Sequence, residues 1–221
     1  MENLIEKIKE AIPKVNDEGN LLAIVDDETK EIQTSFLKKY LLEINPEFIL
    51  ETGTNAACFS AFVKEFLPAV KIVTFGRDPW SADCIKIVED HYDDRFIQFV
   101  LGDSTQTMPL YVDQMQKKKD KPSAAWVDGG HLLPVCLSDL KHCYEYGIDH
   151  IFLDDINPAW PWQTIVPLYR FMCDYPYEII DMSHDKRGIA YLRKNPNRAA
   201  STQLEQEESL RIFEESGIKN S

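Results

Sequence analysis

The sequence predicts an α/β fold with a doubly wound, mostly parallel sheet of about seven strands that ends in an antiparallel hairpin. From residue 47 onward, short apolar runs alternate with segments of helical spacing, as expected for successive βα units. The runs Ala124–Val127 and Ile151–Leu153 are continuously apolar and stop on carboxylates, which is typical of buried parallel strands. Two final apolar segments, Glu178–Met182 and Ile189–Arg193, are joined by a short turn and predict the hairpin.

The remaining elements follow from the same alternation. At the N-terminus, Glu2–Ile12 and Thr34–Leu42 have helical spacing, and we expect them to cover one edge of the sheet or the entrance of a ligand site. Turn-rich segments, N-D-E-G-N and D-D-E-T, lie between these two helices. The first three strands are predicted at Phe48–Leu50, Lys71–Phe75 and Phe96–Leu101. The later helices are predicted at Ala56–Phe66, Ser81–Asp90, Ser104–Lys117, Leu133–Tyr146 and Thr164–Cys173, with Ser81 as an N-cap and Gly147 as a C-cap.

Composition excludes several classes of protein. The 221 residues suffice for one large domain with a buried core, and no window reaches the length of a transmembrane span. The 37 acidic residues outnumber the 24 basic ones, so the net charge of −13 disfavours a nucleic acid or an anionic membrane as the main partner. The five cysteines lack zinc-ligand spacing and no signal peptide is visible, which predicts reduced thiols in a cytoplasmic protein.

Carboxylates and an imidazole follow the fourth and fifth strands. The chain runs A-W-V-D-G-G-H and I-F-L-D-D-I-N, which puts Asp128, Asp154 and Asp155 at strand ends with His131 nearby. Because ligands of open α/β sheets bind outside the carboxyl ends of the strands, we expect these side chains to converge. Three acids and a histidine suit a hard-metal site with a base, although helix caps and loop acids are the alternative. Both consecutive acids can bind one ion only if the chain bends between them.

Acids and small residues also follow the first three strands. The first turn is E-T-G-T-N, in which Gly53 would let a nucleoside-type ligand approach the backbone after Glu51. The glycine pattern of dinucleotide-binding proteins is absent. Asp78 follows the second strand and could bind ribose hydroxyls, or be an ordinary turn residue before a proline. Asp103 and Ser104 follow the third strand and could contact a base edge or cap the next helix.

The succession E-T-G-T-N, F-G-R-D-P-W, L-G-D-S, V-D-G-G-H and L-D-D-I-N, over roughly residues 32–193, resembles the class I S-adenosylmethionine-dependent methyltransferases. It is most similar to the metal-dependent branch that includes catechol and macrolide-sugar O-methyltransferases. The resemblance implies methyl transfer from S-adenosyl-L-methionine to a hydroxyl of a small molecule, such as a diol, sugar or catechol. It also implies assistance by Mg²⁺ or another hard divalent cation. The chain departs from the family pattern in three places: Ala57 replaces a frequent glycine, Arg77 replaces an apolar residue, and of the glycine pair often found before the fifth strand only Gly147 remains.

The resemblance also implies a role for individual residues. The residues implied to bind the cofactor are Glu51, Gly53, Thr54, Asn55, Asp78, Asp103, Ser104 and Asp128. The acids implied around the divalent ion are Asp128, Asp154 and Asp155, and the implied general base is His131. Trp160 and Trp162 flank a proline after the fifth strand, where they could form a wall for an aromatic or sugar substrate or simply pack a loop against the rim.

We expect three parts in the chain. They are an N-terminal helical cover (1–45), an S-adenosylmethionine-binding methyltransferase domain (46–194) and an acidic helical C-terminal tail (195–221), and the two ends offer surfaces for a homo-oligomer. Two other functions stay open. One is a metal-independent N- or carboxyl-methyltransferase, and the other is a non-catalytic cofactor-binding or scaffold protein of the same fold.

Overall fold

The computed structural model describes residues 2–12, 27–93, 95–118, 121–156, 163–183 and 185–197. Helices and strands alternate through most of these ranges. The strands are β1 (Phe48–Thr52), β2 (Lys71–Gly76), β3 (Ile97–Leu101), β4 (Ala124–Val127), β5 (His150–Leu153), β6 (Tyr177–Met182) and β7 (Ala190–Lys194). The helices are α1 (Glu2–Ala11), α2 (Asp27–Ile44), α3 (Cys58–Lys64), α4 (Ser81–Tyr92), α5 (Ser104–Lys118), α6 (Leu133–Tyr146) and α7 (Ile165–Asp174).

All seven strands form one sheet in the order β3-β2-β1-β4-β5-β7-β6. Strands β1 to β5 are parallel, while β7 runs antiparallel to both β5 and β6. The predicted fold class is therefore confirmed, including the terminal hairpin. The direction of winding reverses between β1 and β4, and in open α/β sheets this reversal opens a crevice at the carboxyl ends of the two strands.

Successive residues of each strand pack against helices on opposite faces of the sheet. On β1, Ile49 joins an apolar cluster with helices α1 to α4, whereas Leu50 joins a second cluster with α5 to α7. This alternation follows from the two-residue period of a strand and yields three layers. The N-terminal helices thus pack on a face of the sheet, and α2 also reaches the edge strand β6, where the Tyr40 hydroxyl donates to Asp181.

Most element boundaries agree with the sequence prediction, and the differences have local causes. Strand β1 extends to Thr52, and α2 begins at Asp27, inside the acidic segment that we expected to be a turn. Ser81 is not an N-cap: it is the first residue of α4, and its buried hydroxyl has no hydrogen-bond partner in the described part of the chain. Gly147 does cap α6, in a left-handed conformation with φ of 71°.

Two sequence predictions fall outside the described ranges. Trp160 and Trp162 lie between residues 156 and 163, and the acidic tail beyond residue 197 is likewise not described. Among the helices that are described, none combines the length and the apolar character needed to cross a bilayer.

Candidate active site

The strand-end residues meet because the parallel strands end in register. Thr52 of β1 lies beside Val127 of β4, which in turn lies beside Leu153 of β5. The next residues continue this alignment, since the Asp128 amide donates to the Thr52 carbonyl at 3.0 Å and the Asp154 amide donates to the Val127 carbonyl at 3.1 Å. The expected convergence of acids at one edge of the sheet is present in the fold.

Glycine is required at position 53 because two of these strand-end loops are in contact there. Its φ is +91°, and a β-carbon built on it would lie 1.8 Å from the carbonyl oxygen of Asp128. Its amide donates to the Phe75 carbonyl of β2 at 2.9 Å. The chain itself therefore approaches this backbone closely, and the contact fixes the first turn against the loop after β4. The approach of a nucleoside-type ligand to Gly53 stays a prediction.

We call Asp128, His131, Asp154 and Asp155 the strand-end cluster. The His131 Nε2 atom lies 3.4 Å from Asp128 Oδ1 and 3.3 Å from Asp155 Oδ2. One ligand atom from each of these three residues lies within 4.8 Å of the others, so the three could hold a cation together. Asp155 can join them because its φ is +57°, which provides the bend after β5 that the sequence argument required.

Asp154 lies outside this three-residue group. Its side chain is buried, and its Oδ1 atom has no hydrogen-bond partner within the described ranges of the chain. Its Oδ2 atom lies 3.7 Å from Arg187 Nη2. Burial raises the pKa of Asp154 well above its ordinary value, and the charges of Asp128 and Asp155 raise it further. The pKa of Asp128 is also raised by burial, against the lowering effect of its hydrogen bond with His131.

Arg187 completes the surroundings of the strand-end cluster and was missed by the sequence prediction. It lies in the turn between β6 and β7, and its Nε donates to Asp155 Oδ1 at 2.5 Å. The turn reaches this edge because β7 runs antiparallel to β5, with Ala190 beside Leu153. The sequence does show a basic residue just before β7. That this residue reaches the site, however, can be inferred only when the strand order is known.

The β6–β7 turn holds the backbone of Arg187 in place. Asp185 Oδ1 accepts hydrogen bonds from the amides of Arg187 and Gly188 at 2.9 and 2.8 Å. The Ser183 hydroxyl donates to Asp185 Oδ2 at 2.5 Å and accepts from the Ile189 amide at 2.7 Å. These bonds are of the Asx-turn type, in which a short acidic side chain organises the following backbone.

Glu51 is a buried acid at the end of β1, only 1% exposed. It accepts a hydrogen bond from the Ser60 hydroxyl at 2.8 Å. Burial raises the pKa of Glu51 to about 8, while the hydroxyls of Ser60 and Thr74 act to lower it and the charge of Asp128 acts to raise it. Such a carboxyl favours a cationic neighbour, because a positive charge would stabilise its ionised form.

The rest of the first turn is strained and incompletely paired. Thr54 is buried and shares a 2.6 Å hydrogen bond with Thr74. Asn55 and Ala57 both have left-handed conformations, with φ of 42° and 57°. The Asn55 side-chain oxygen is buried, and no described residue is its hydrogen-bond partner. The family pattern often has glycine where this chain has Ala57, and the left-handed backbone explains why glycine suits that position. The same conformation explains why α3 starts only at Cys58.

The acids after β2 and β3 differ in their surroundings. Asp78 is exposed to solvent beyond the end of β2. Asp103 caps α5, since its Oδ1 accepts from the amide and hydroxyl of Thr105 at 3.0 and 2.7 Å, and this hydrogen bonding lowers its pKa. Ser104 is the first residue of that helix. Asp103 therefore caps α5, and its contact with a base edge stays a prediction.

A further buried acid, Asp139 of α6, lies beneath the loop after β4. A β-carbon built on Gly129 would be 2.7 Å from its Oδ2 atom. Burial raises the pKa of Asp139 to about 6, against the lowering effect of the hydroxyls of Ser104 and Thr52. The sequence prediction missed this residue because it lies mid-helix, where an acid is ordinarily exposed.

Comparison with known proteins places the fold. No protein-family model matches the chain, and no curated protein is significantly similar to it. Among solved structures, an O-methyltransferase from Bacillus cereus in complex with SAH is 12% identical, with a TM-score of 0.64 over 86% of this chain and 91% of that one.

Two further solved structures show how broadly this fold is used. An SAH-bound methyltransferase from Podospora anserina is 14% identical, with a TM-score of 0.56 over 74% of this chain and 78% of that one. A ribosomal protein L11 methylase from Lactobacillus delbrueckii is 10% identical, with a TM-score of 0.55 over 77% of this chain and 81% of that one. The chain therefore has the fold of the class I S-adenosylmethionine-dependent methyltransferases.

Proposed function

We propose that this protein transfers a methyl group from S-adenosyl-L-methionine to a hydroxyl of a small molecule, such as a diol, sugar or catechol, with the help of Mg²⁺ and with His131 as general base. One observation carries the proposal. The His131 imidazole lies 3.3–3.4 Å from two carboxylates at the carboxyl edge of the sheet, beside the turn that follows β1. The fold itself leaves the acceptor open, because one fold hosts many acceptors.

The residues of the first turn suit this cofactor. S-adenosylmethionine carries an ammonium group and a sulfonium group, and Glu51 is a buried acid whose pKa of about 8 would fall beside a positive charge. The buried side-chain oxygen of Asn55 has no partner among the residues that the structure describes and could accept a hydrogen bond from a ligand. Both features favour a cationic, hydrogen-bonding ligand next to β1.

The strand-end cluster suits a hard divalent cation. Asp128 and Asp155 would hold it, because Mg²⁺ prefers oxygen ligands, and His131 would then remain available as a base. A bound cation would lower the pKa of the acceptor hydroxyl and orient it. The acceptor is a small molecule in this proposal, since a net charge of −13 disfavours a polyanionic one.

His131 would remove the proton from the acceptor. Its hydrogen bond with Asp128 raises the pKa of the imidazole above its ordinary value, while burial opposes this effect. A proton taken up by the ring would be stabilised by the carboxylates of Asp128 and Asp155 on either side. The side chain is 35% exposed, which leaves it accessible to an acceptor.

A thermal-shift titration with S-adenosylhomocysteine, in Mg²⁺ and then in EDTA, tests the proposal first. A ligand that binds only the folded state raises the melting temperature, so we expect a shift with the nucleoside and a further shift with metal. Methyl transfer from labelled S-adenosylmethionine is then measured with a panel of diols, sugars and catechols. The absence of any nucleoside binding would instead favour a non-catalytic protein of the same fold.

The Arg187–Asp155 contact favours a second candidate function, a metal-independent N- or carboxyl-methyltransferase. The guanidinium already supplies a positive charge 2.5 Å from one oxygen of Asp155. In this alternative the acids of the strand-end cluster bind the acceptor. Methyl transfer that is unaffected by EDTA would favour it over the metal-assisted reaction.

A further inference from the structure

We propose that Arg187 competes with the divalent cation for Asp155, so that this arginine sets the metal affinity of the site. The inference rests on the cation site of the proposed function. It assigns a role to a residue of the last hairpin that neither the sequence motifs nor the fold comparison identifies.

Asp155 contacts a basic side chain with each of its two carboxylate oxygens. Its Oδ1 atom accepts a hydrogen bond from Arg187 Nε at 2.5 Å, and its Oδ2 atom faces His131 Nε2 at 3.3 Å. Both carboxylate oxygens are therefore engaged by basic groups of the chain. A cation that binds Asp155 must displace one of these groups or share its oxygen, and a guanidinium and a divalent ion repel each other at such distances.

Arg187 lies among several negative charges. Three carboxylates, those of Asp128, Asp154 and Asp155, converge at this edge of the sheet. Arg187 is a permanent cation, and it lies 3.7 Å from Asp154 as well as 2.5 Å from Asp155. Without a metal ion, the guanidinium offsets part of the negative charge. When a metal ion binds, the ion and the guanidinium would both neutralise the same carboxylates.

Arg187 has a fixed backbone and a partly exposed side chain. The backbone amides of Arg187 and Gly188 donate hydrogen bonds to the Asp185 carboxylate, which fixes the position of the Arg187 backbone. Its side chain is nevertheless 37% exposed, which lets the guanidinium withdraw into solvent when an ion takes the carboxylate. The turn thus fixes the backbone of Arg187, while its partly exposed guanidinium can exchange the contact with Asp155 for solvent.

Direct metal binding tests the inference. Mn²⁺ affinity is measured by electron paramagnetic resonance for the wild type, Arg187→Gln and the control Arg193→Gln, whose guanidinium contacts Glu178 at 3.2 Å in the same hairpin. We expect Arg187→Gln to bind Mn²⁺ at least tenfold more tightly, and Arg193→Gln to match the wild type. Arg187→Lys keeps the positive charge and should bind less tightly than Arg187→Gln.

The outcomes separate the inference from the proposed function. Equal Mn²⁺ affinity of wild type and Arg187→Gln overturns the competition but leaves a metal-assisted methyltransferase in place. If neither protein binds Mn²⁺ while both bind S-adenosylhomocysteine, the competition and the metal both fail, and the metal-independent function is favoured.

A second measurement reads out the wild type and uses a variant only to assign the signal, so a change of metal affinity caused by a folding defect of the variant cannot obscure the answer. The side-chain Nε–H signal of Arg187 is followed by ¹⁵N nuclear magnetic resonance during a Mg²⁺ titration, with Arg187→Lys used to assign it. Loss of the Asp155 contact should shift this signal in step with metal binding. An unchanged signal at saturating Mg²⁺ would show that the guanidinium stays on Asp155, and the inference would be wrong.

Discussion

The backbone of Gly53 lies directly against the carbonyl oxygen of Asp128, so that a β-carbon on the glycine would be 1.8 Å from that oxygen. The turn after β1 and the loop after β4 are therefore one packed unit. The first carries the residues proposed to bind the cofactor, and the second carries Asp128 and His131. A change in either loop will be transmitted to the other through this contact.

Gly53→Ala should be strongly destabilising. A left-handed alanine costs roughly 1–2 kcal/mol and overpacking adds about 1–3 kcal/mol, so we expect a loss of about 2–5 kcal/mol in urea unfolding. Gly147→Ala is the matched control. It is also left-handed, with φ of +71°, but its β-carbon would approach only the flexible Lys121 Nζ at 3.2 Å. Equal losses in the two variants would contradict the importance of the Asp128 contact.

His131→Ala should abolish most turnover while leaving cofactor binding intact. A positioned general base contributes about 10²–10⁴-fold to a rate, and we expect a loss in that range. Turnover is measured with labelled S-adenosylmethionine, and binding by thermal shift with S-adenosylhomocysteine. His142→Gln, on α6 beside Glu145, is the control and should retain activity. Full activity of His131→Ala would remove this residue from the mechanism.

Asp128→Asn should weaken metal-dependent activity far more than cofactor affinity. Asp128 belongs to the three-residue group that could hold a cation, whereas the neighbouring buried acid Asp154 does not. Asp154→Asn therefore serves as the matched control and should have the smaller effect on Mn²⁺ binding. Parallel loss of metal binding, cofactor binding and thermal stability in Asp128→Asn would indicate a folding defect instead.

Glu51 should make the fold less stable as the pH rises. Its pKa is about 8 in the folded chain against an ordinary value of 4.5, so the folded state holds the extra proton between these values. Stability from this proton is present below about pH 4.5 and is lost as the pH rises through 8, because the unfolded state binds fewer protons.

Glu51→Gln removes this dependence. Relative to the wild type, the unfolding free energy of the variant should increase across that pH range, by up to about 1.4 kcal/mol per pH unit. Thermal or urea unfolding at several pH values measures it, with exposed Glu47→Gln as the control. A constant difference between variant and wild type would show that Glu51 is already ionised in the folded protein.

The sequence predicted those site residues whose position depends only on where a parallel strand ends. Asp128 and Asp154 follow continuous apolar runs, and parallel strands bring their carboxyl ends to one edge whatever their order. Arg187 could not be predicted this way. It reaches Asp155 only because β7 inserts between β5 and β6, which depends on long-range pairing rather than on local pattern.

The backbone conformation of individual site residues could not be predicted either. Asp155 joins His131 through a left-handed bend, and neither residue type nor spacing reveals that conformation. Glu51 was correctly predicted at the end of the first strand, but its pKa depends on burial by α3 and on the hydroxyls of Ser60 and Thr74. Hydrophobic periodicity predicts which side of an element is buried, and it leaves the pairing of polar atoms undetermined.

The place of β7 has a consequence for how the chain must be made. This strand is the last of those that the structure describes, yet it pairs with β5 on one side and β6 on the other. Until residues 190–194 leave the ribosome, the apolar strand Ile151–Leu153 keeps an open edge, and such edges recruit other chains. Fragments that stop at Met182 should therefore aggregate rather than persist as inactive monomers, and nascent chains would need protection until residues 190–194 have been synthesised.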